Sequence, residues 1–467
     1  MAMADCFDPW LTGLRSADAL MTSGGSVRAL AARQAQRWNA LREAAASGSR
    51  FYRDRLKRGE PLQEIAPVTK RELMQNFDKW VTDPSLTLDA LRSFLADGRR
   101  IGEAYAGTYV VWESSGSQGD PGVFVQDANA MAVYDALEAC RRRQRWFDPW
   151  YLGARIAFVG ATSGNFASTV TAQRLRRLNP AMAANLRALS FLQPTGNLVS
   201  ELNDLAPRVI STYPTMAMLL AEEKAAGRLR ASPGEVWTGG ETLTLAMRSF
   251  IERTFGCKVI NSYGASEFLP LASECRLGAL HLNSDWAILE PVDEHARPVP
   301  AGVTGHTTLL TNLANHLQPL IRYDLGDRVT MHACPCGCGS PLPVIDVQGR
   351  CDDMLMLRGP SGQRVHLSPL ALTTVIEDDA GVFDFQLTQT ASDALRLSVG
   401  GDAAAALRAD KALRSYLEGL GVRQVRLSTA AGGAHRRGRT GKLRRVVAAV
   451  GAGEPSSSGG VGRCGRP

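Results

Sequence analysis

VVWESSGSQGDPGVFVQD, residues 110–127, is an apolar strand that runs into a Ser/Gly turn and out into a second apolar strand. Gly116 and Gly119 permit close backbone approach, and with the hydroxyls of Ser114, Ser115 and Ser117 the turn can offer N–H and O–H groups to a phosphate. It is neither a Lys-bearing Walker loop nor a GxGxxG dinucleotide turn. In isolation it reads equally as an ordinary Gly-rich hairpin.

Around this segment the chain alternates. Short apolar runs bounded by Gly and Asn follow one another from Tyr105: 109–117 YVVWESSGS, 154–161 ARIAFVGA, 208–214 RVISTYP, 234–241 GEVWTGGE and 257–266 CKVINSYGAS. Helical stretches separate them, the pattern of an α/β layered domain. Upstream, 27–57 and 67–81 show helical periodicity, with Thr69 as an N-cap, and form a helical entry region over about 1–104. Downstream, 280–293, 305–314, 319–333 and 341–350 are closely spaced strands that read as a β-rich subdomain completing the large domain.

From about Asp353 to Val450, strands at 383–390, 394–401 and 422–429 with helices around them suggest a small α+β domain. The ending GAGEPSSSGGVGRCGRP has the composition of a disordered tail. The expectation is an α/β protein with a large multi-subdomain N-terminal domain over 1–351. A small mobile α+β domain over 352–450 and a tail over 451–467 follow.

Hydrophobic residues are 45% of the 467, charged residues 21% and the net charge +7, a packed globular balance that excludes a disordered or fibrous chain. The basic excess suits anionic ligands such as nucleotides and is too mild to indicate nucleic acid. The start MAMADCFDPWLTGL carries no secretory pattern and no apolar run reaches membrane-spanning length, so neither secretion nor a membrane partner is expected. Nine cysteines, four of them between Cys334 and Cys351, are unlike a distributed disulfide framework. A reducing, cytoplasmic setting is the expectation.

Several motifs in order, from FYRDRL at 51–56 to TGKLRR at 440–445, give the chain a resemblance to the adenylate-forming superfamily, specifically its phenylacetate-CoA ligase-like branch. ESSGSQGDPG resembles that family's phosphate loop, with Ser114, Ser115, Gly116, Ser117, Gln118 and Gly119 at the ATP phosphates. It departs from the family at Gln118, where Thr is usual, and at Asp120, where Lys is common. TGGETL, with Gly240 and Glu241, corresponds to the turn that lies against adenine.

NSYGASEF, 261–268, is similar to the Tyr-Gly-x-Ser/Thr-Glu signature. The likeness implies Tyr263 against the adenine ring, with Gly264 and Ser266 beside it, and Glu267 holding magnesium on the phosphates. It implies Asp327 of RYDLGDRV on the ribose diol and Arg350 of GRCDDML as a second ribose or phosphate contact. Asp352 would be the hinge of the small domain, and Lys442 the cation that stabilises charge as pyrophosphate leaves.

The activity implied is ATP-dependent conversion of a small, aromatic carboxylic acid into an acyl-adenylate, then transfer to a thiol, coenzyme A first. A carrier protein, an amine or a hydroxyl are alternative acceptors. Residues between Trp146 and Pro214 are expected to line part of the acid pocket. A homodimer is compatible with the sequence.

Cys275 and His281 bracket a short turn, and Cys334, Cys336 and Cys338 crowd into ACPCGCGSP, a composition that suits zinc. Relatives with a structural zinc imply Cys275, His281, Cys334 and Cys336 as ligands, leaving Cys338 spare; reduced, packed cysteines are the bland alternative. A non-enzymatic alternative is a zinc-containing nucleic-acid-binding protein. The missing aromatic residues among the arginines of 436–445 weigh against it.

Overall fold

The computed structural model describes residues 6–57, 59–114, 121–142, 153–241, 243, 245–348, 355–358, 364–367, 371–372, 375–382, 385–400, 402–422, 425–432 and 446–447. The chain divides into two compact units, in the main before and after residue 350.

The first unit begins with capped helices. Asp8 accepts N–H bonds from Trp10 and Leu11 at the start of the helix Pro9–Ser23, Ser26 caps Val27–Gly48, and Thr69 caps Lys70–Gln75 by accepting from Glu72 N–H at 3.3 Å. These caps satisfy amides that a helix start leaves unpaired. The long helix is anchored through Arg37, whose guanidinium lies 3.4 Å over the Trp286 ring and 3.1 Å from the buried Asp285 carboxylate. Arg141 reaches the same carboxylate at 2.6 Å.

Strands β1 (Val110–Glu113) and β2 (Val123–Gln126) pair antiparallel and are joined in sequence by residues 114–122. The main sheet is built on β3 (Ile156–Gly160), β4 (Leu186–Ser190), β5 (Val209–Thr212), β6 (Glu235–Gly239) and β7 (Lys258–Ala265). These pair in parallel in the order β4-β3-β5-β6-β7, with helices in the crossovers, as parallel pairing requires. The apolar residues of the central strands β3, β5 and β6 follow from burial within the sheet.

Strands β8 (Phe268–Glu274) and β9 (Leu280–Leu282) turn the sheet antiparallel beyond β7. Next come β10 (Ala287–Val292), β11 (Thr307–Asn312), β12 (Leu320–Asp324), β13 (Arg328–Met331) and β14 (Val344–Gln348). Among the described residues, β10, β11 and β12 make a separate three-stranded sheet, whereas β9, β14 and β13 extend the main sheet to nine strands. The strands after His281 are therefore shared between two sheets instead of forming one β-rich body. The reason is local: β9 is already committed to β8 as a hairpin, and β14 adds to its free edge.

The second unit has its own core. The hairpin of β15 (Leu355–Arg358) and β16 (Arg364–Leu367) precedes β17 (Phe385–Ala391), β18 (Ala394–Val399), β19 (Arg426–Ala431) and β20 (Val446–Val447), ordered β19-β18-β17-β20. The helix Ala403–Gly419, capped by Asp402, buries Leu413 and Leu417 in a cluster with Leu387, Leu395 and Leu397. The tail over 451–467 lies outside the described residues. No described helix is long and apolar enough to cross a membrane.

Candidate active site and metal cluster

Gly264 shapes the turn between β7 and β8. The pairing of Tyr263 with Ala272 shifts register before Ala265 meets Phe268, and a Cβ on Gly264 would lie 1.8 Å from the Leu269 carbonyl oxygen. A bulge of this kind re-aims the side chains beside it. Tyr263, 9% exposed, points its hydroxyl at Asp327, donating to Oδ2 at 2.8 Å. Asp327 sits between β12 and β13, just after Gly326, whose φ of +70° turns the chain.

Glu267 is held on both sides of its peptide. Its carbonyl accepts from Asn312 Nδ2 at 2.9 Å, and its carboxylate Oε1 accepts from the Tyr323 hydroxyl at 2.7 Å. The carbonyl of Ser266 accepts from Trp112 Nε1 at 2.8 Å, tying the signature turn to β1. Behind it, Tyr134 lies between Trp112 and Phe268, with ring centroids 6.4 and 4.9 Å away. Burial pushes the Tyr134 phenol well above its usual range, so its hydroxyl remains a neutral acceptor for Asn312 Nδ2 at 2.9 Å.

At the end of β6, Gly240 has φ +79°, and a Cβ there would come within 3.2 Å of the Tyr213 ring. Tyr213 is pushed up to about 12 by burial. Glu241, half-buried, follows it. Ser114 closes the base of its loop: its N–H donates to the Gly122 carbonyl and its Oγ accepts from Gly122 N–H, both at 2.8 Å. Ser115, Gly116, Ser117, Gln118, Gly119, Arg350, Asp352 and Lys442 lie outside the described residues.

The structure thus joins Tyr263 to Asp327 and braces Glu267 at the β7–β8 turn. Tyr323, Trp112 and Asn312 are supports that motif reading passes over. Tyr323 lies within RYDLGD, but its partner is 56 residues away, and no local pattern announces the contact.

A second constellation lies on the same side of the sheet order. Donor atoms of Cys275, His281, Cys336 and Cys338 fall within 4.8 Å of one another. Cys275 and Cys336 Sγ are 3.9 Å apart, close to the ~3.8 Å expected of two thiolates on a tetrahedral ion with metal–sulfur bonds of about 2.3 Å. His281 Nδ1 donates to the Leu342 carbonyl at 2.8 Å, which leaves Nε2 as the lone-pair nitrogen, 3.3 Å from Cys338 Sγ.

Backbone amides turn toward the sulfurs: Leu277 N–H meets Cys275 Sγ and Ser340 N–H meets Cys338 Sγ, each at 3.4 Å. Burial would raise the Cys275 thiol, but the hydrogen bonds from Leu277 and Ala279 and the neighbouring thiols outweigh it and bring it below its usual value. Three thiols and one imidazole, the imidazole oriented by its bond to the Leu342 carbonyl, are a donor set suited to a closed tetrahedral site.

The set differs from the expected one. Cys334 is exposed and outside the cluster, and Cys338 takes its place. A turn decides this: Gly339 N–H donates to the Cys336 carbonyl at 3.2 Å, with Gly339 at φ +85°, and folds Cys338 back toward His281.

No family model matches the chain. Over 178 residues, 35% of the chain, it is 35% identical to a phenylacetate-coenzyme A ligase of Thermus thermophilus, covering 39% of that protein. Over 135 residues, 28% of the chain, it is 31% identical to Protein CapK of Staphylococcus aureus, covering 28% of it. The chain thus spans less than half the length of these curated relatives.

Solved structures match over nearly all of it. A 2-hydroxyisobutyryl-CoA ligase in complex with 2-HIB-AMP and CoA in its thioesterification state superposes with TM-score 0.57 at 20% identity, covering 92% of this chain and 91% of that one. The same ligase in its postadenylation state with R3-HIB-AMP gives 0.52 at 21% identity, covering 92% of each. Such identities speak for the fold alone. The chain thus shares the fold of these ligases and, over 178 residues, a sequence likeness to a phenylacetate-coenzyme A ligase.

Proposed function

We propose that the chain is an AMP-forming acid:thiol ligase that activates a small carboxylic acid, aromatic by preference, and passes the acyl group to coenzyme A. A carboxylate oxygen attacks the α-phosphorus of ATP, the bond to the bridging oxygen breaks, and pyrophosphate leaves. A thiolate then attacks the acyl carbon of the adenylate and AMP departs. The observation that carries this reading is the Tyr263–Asp327 pair at 2.8 Å beside the braced Glu267. A flat ring, an acceptor suited to a vicinal diol and a hard oxygen donor are the three kinds of group a nucleoside triphosphate calls for, and their closeness in the chain's fold supports the reading.

Within this reading Tyr263 stacks on adenine, Asp327 accepts from the ribose hydroxyls and Glu267 is the magnesium ligand. Magnesium, when bound, neutralises charge on the phosphates. Ser114 to Gly119, Gly240 and Glu241 complete the nucleotide contacts. Arg350, Lys442 and the hinge Asp352 keep the roles that the family likeness implies. The Cys275, His281, Cys336 and Cys338 cluster holds a structural zinc, for which its thiol-rich, closed donor set is suited.

Pyrophosphate exchange into ATP, across a panel of aromatic, aliphatic and amino acids, tests the reading. Exchange with one class of acid is expected. Tight nucleotide binding without exchange for any acid would overturn it. For the metal, about one equivalent of zinc per chain is expected in the purified protein and in Cys334→Ser, and less than a tenth of that in Cys338→Ser. The reverse ranking of the two variants would restore the ligand set expected from the family.

A further inference from the structure

The metal cluster and the nucleotide site are linked through the sheet. Cys275 follows β8 directly and His281 lies in β9, whereas Cys336 and Cys338 lie in the turn that joins β13 to β14. These two hairpins meet along a short ladder: Val344 stands opposite His281 and Ile345 opposite Leu280, with Leu282 N–H donating to the Pro343 carbonyl at 2.9 Å. One of the paired residues is therefore itself a metal-ligand candidate.

At the other end of β13 stands Asp327, one four-residue strand away, roughly 13 Å at the rise of a strand. Tyr263, its partner, belongs to β7, on the far side of β8 and β9. The position of Asp327 against Tyr263 is set on one side by the end of β12, where Leu325 N–H donates to the Thr308 carbonyl at 3.0 Å, and on the other by how the β13–β14 hairpin is seated on β9. On its other side the hairpin is tied to the 302–305 turn: Gly302 N–H donates to the Met331 carbonyl at 2.7 Å and Gly305 N–H to the Val329 carbonyl at 3.1 Å. That turn leads into β11, which lies in the other sheet. A ladder as short as that between β9 and β14, one strand in from the sheet edge, opens more readily than a long internal one.

We propose that His281 and Cys338, with Cys275 and Cys336, are positioning residues for Asp327. Their metal bridges the two hairpins across this short ladder and so sets the Tyr263–Asp327 separation on which nucleotide affinity depends. Metal binding of this kind contributes folding free energy locally, where the ligands come from two segments. The inference rests on the zinc and nucleotide readings above.

The test compares the full-length wild type, wild type stripped with a thiol reagent and chelator, the stripped protein reloaded with zinc, and Cys338→Ser. Amide exchange by mass spectrometry and the ATP dependence of pyrophosphate exchange are both read. Losing the metal should deprotect 328–331 and 344–348 at least tenfold and leave 156–160 and 209–212 unchanged. The KM for ATP should rise about tenfold with kcat within twofold, and zinc should reverse both.

A fall in kcat at constant KM, the mark of a smaller folded fraction, would overturn the proposal. So would uniform deprotection, or none. If Cys338→Ser does not fold, the stripped wild type carries the comparison. If no acid supports exchange, the ligase reading fails separately and the amide pattern still decides whether the metal seats the hairpin. A protein that neither contains nor takes up zinc would overturn the inference outright.

Discussion

The two halves of the nine-stranded sheet are held together differently. In the parallel half, β3 runs in unbroken register with β4 from Ile156 opposite Leu186 to Gly160 opposite Ser190, and Val159, Val209, Ile210, Val236 and Val259 are buried. In the antiparallel half, the β7–β8 ladder shifts register at Gly264 and the β9–β14 ladder is short. The candidate site residues collect at these irregularities: Tyr263 flanks the bulge, Asp327 precedes the edge strand β13, and the thiol cluster includes His281 of the short ladder. Continuous apolar burial makes a scaffold, and interrupted pairing aims polar groups out of it.

The most severe way to break this arrangement is Gly264→Ala. A Cβ 1.8 Å from a backbone oxygen has nothing flexible to displace, so a loss of about 3 kcal/mol or more is expected in urea unfolding. Gly239→Ala is the matched control. Its Cβ would meet the Ser262 hydroxyl at 2.9 Å, which can rotate, and the Ser262 carbonyl oxygen at 3.1 Å, which must give by only a few tenths of an ångström, so the loss should stay under about 2 kcal/mol. Equal losses at the two positions would mean that the bulge is no tighter than its surroundings.

Tyr323→Phe is a smaller perturbation. Removing the hydroxyl that donates to Glu267 at 2.7 Å should cost about 1.5 kcal/mol of carboxylate positioning, read as roughly a tenfold higher magnesium requirement with stability little changed. An unchanged magnesium dependence would detach Glu267 from the metal role. In the parallel half, Ile210→Val should behave in the opposite sense. It should lower stability by about 1 kcal/mol through a small cavity while AMP affinity stays within twofold.

The same contrast explains what sequence could and could not show. Ile156–Gly160, Val209–Thr212 and Glu235–Gly239 are legible because fully buried strands are short apolar runs between turn residues. β4 escapes that reading because Leu186–Ser190 lies at the sheet edge with Arg187 exposed. Thr69 is legible as a cap, since capping is local chemistry.

At the antiparallel end, motif likeness singles out Tyr263, Glu267 and Asp327 without showing that Tyr263 and Asp327 meet across 64 residues. The choice of Cys338 over Cys334 was hidden for a related reason. In ACPCGCGSP the spacing allows either thiol, and the conformation at Gly339 selects one.

In the proposed function, nucleotide is held at the antiparallel end through Asp327. Calorimetric titration of AMP into the wild type and into Asp327→Ala tests it most directly. Saturable binding to the wild type is expected, with an affinity at least tenfold weaker in the variant, as loss of a charged acceptor from a ribose diol implies. Equal affinity for AMP in a folded Asp327→Ala protein would contradict it.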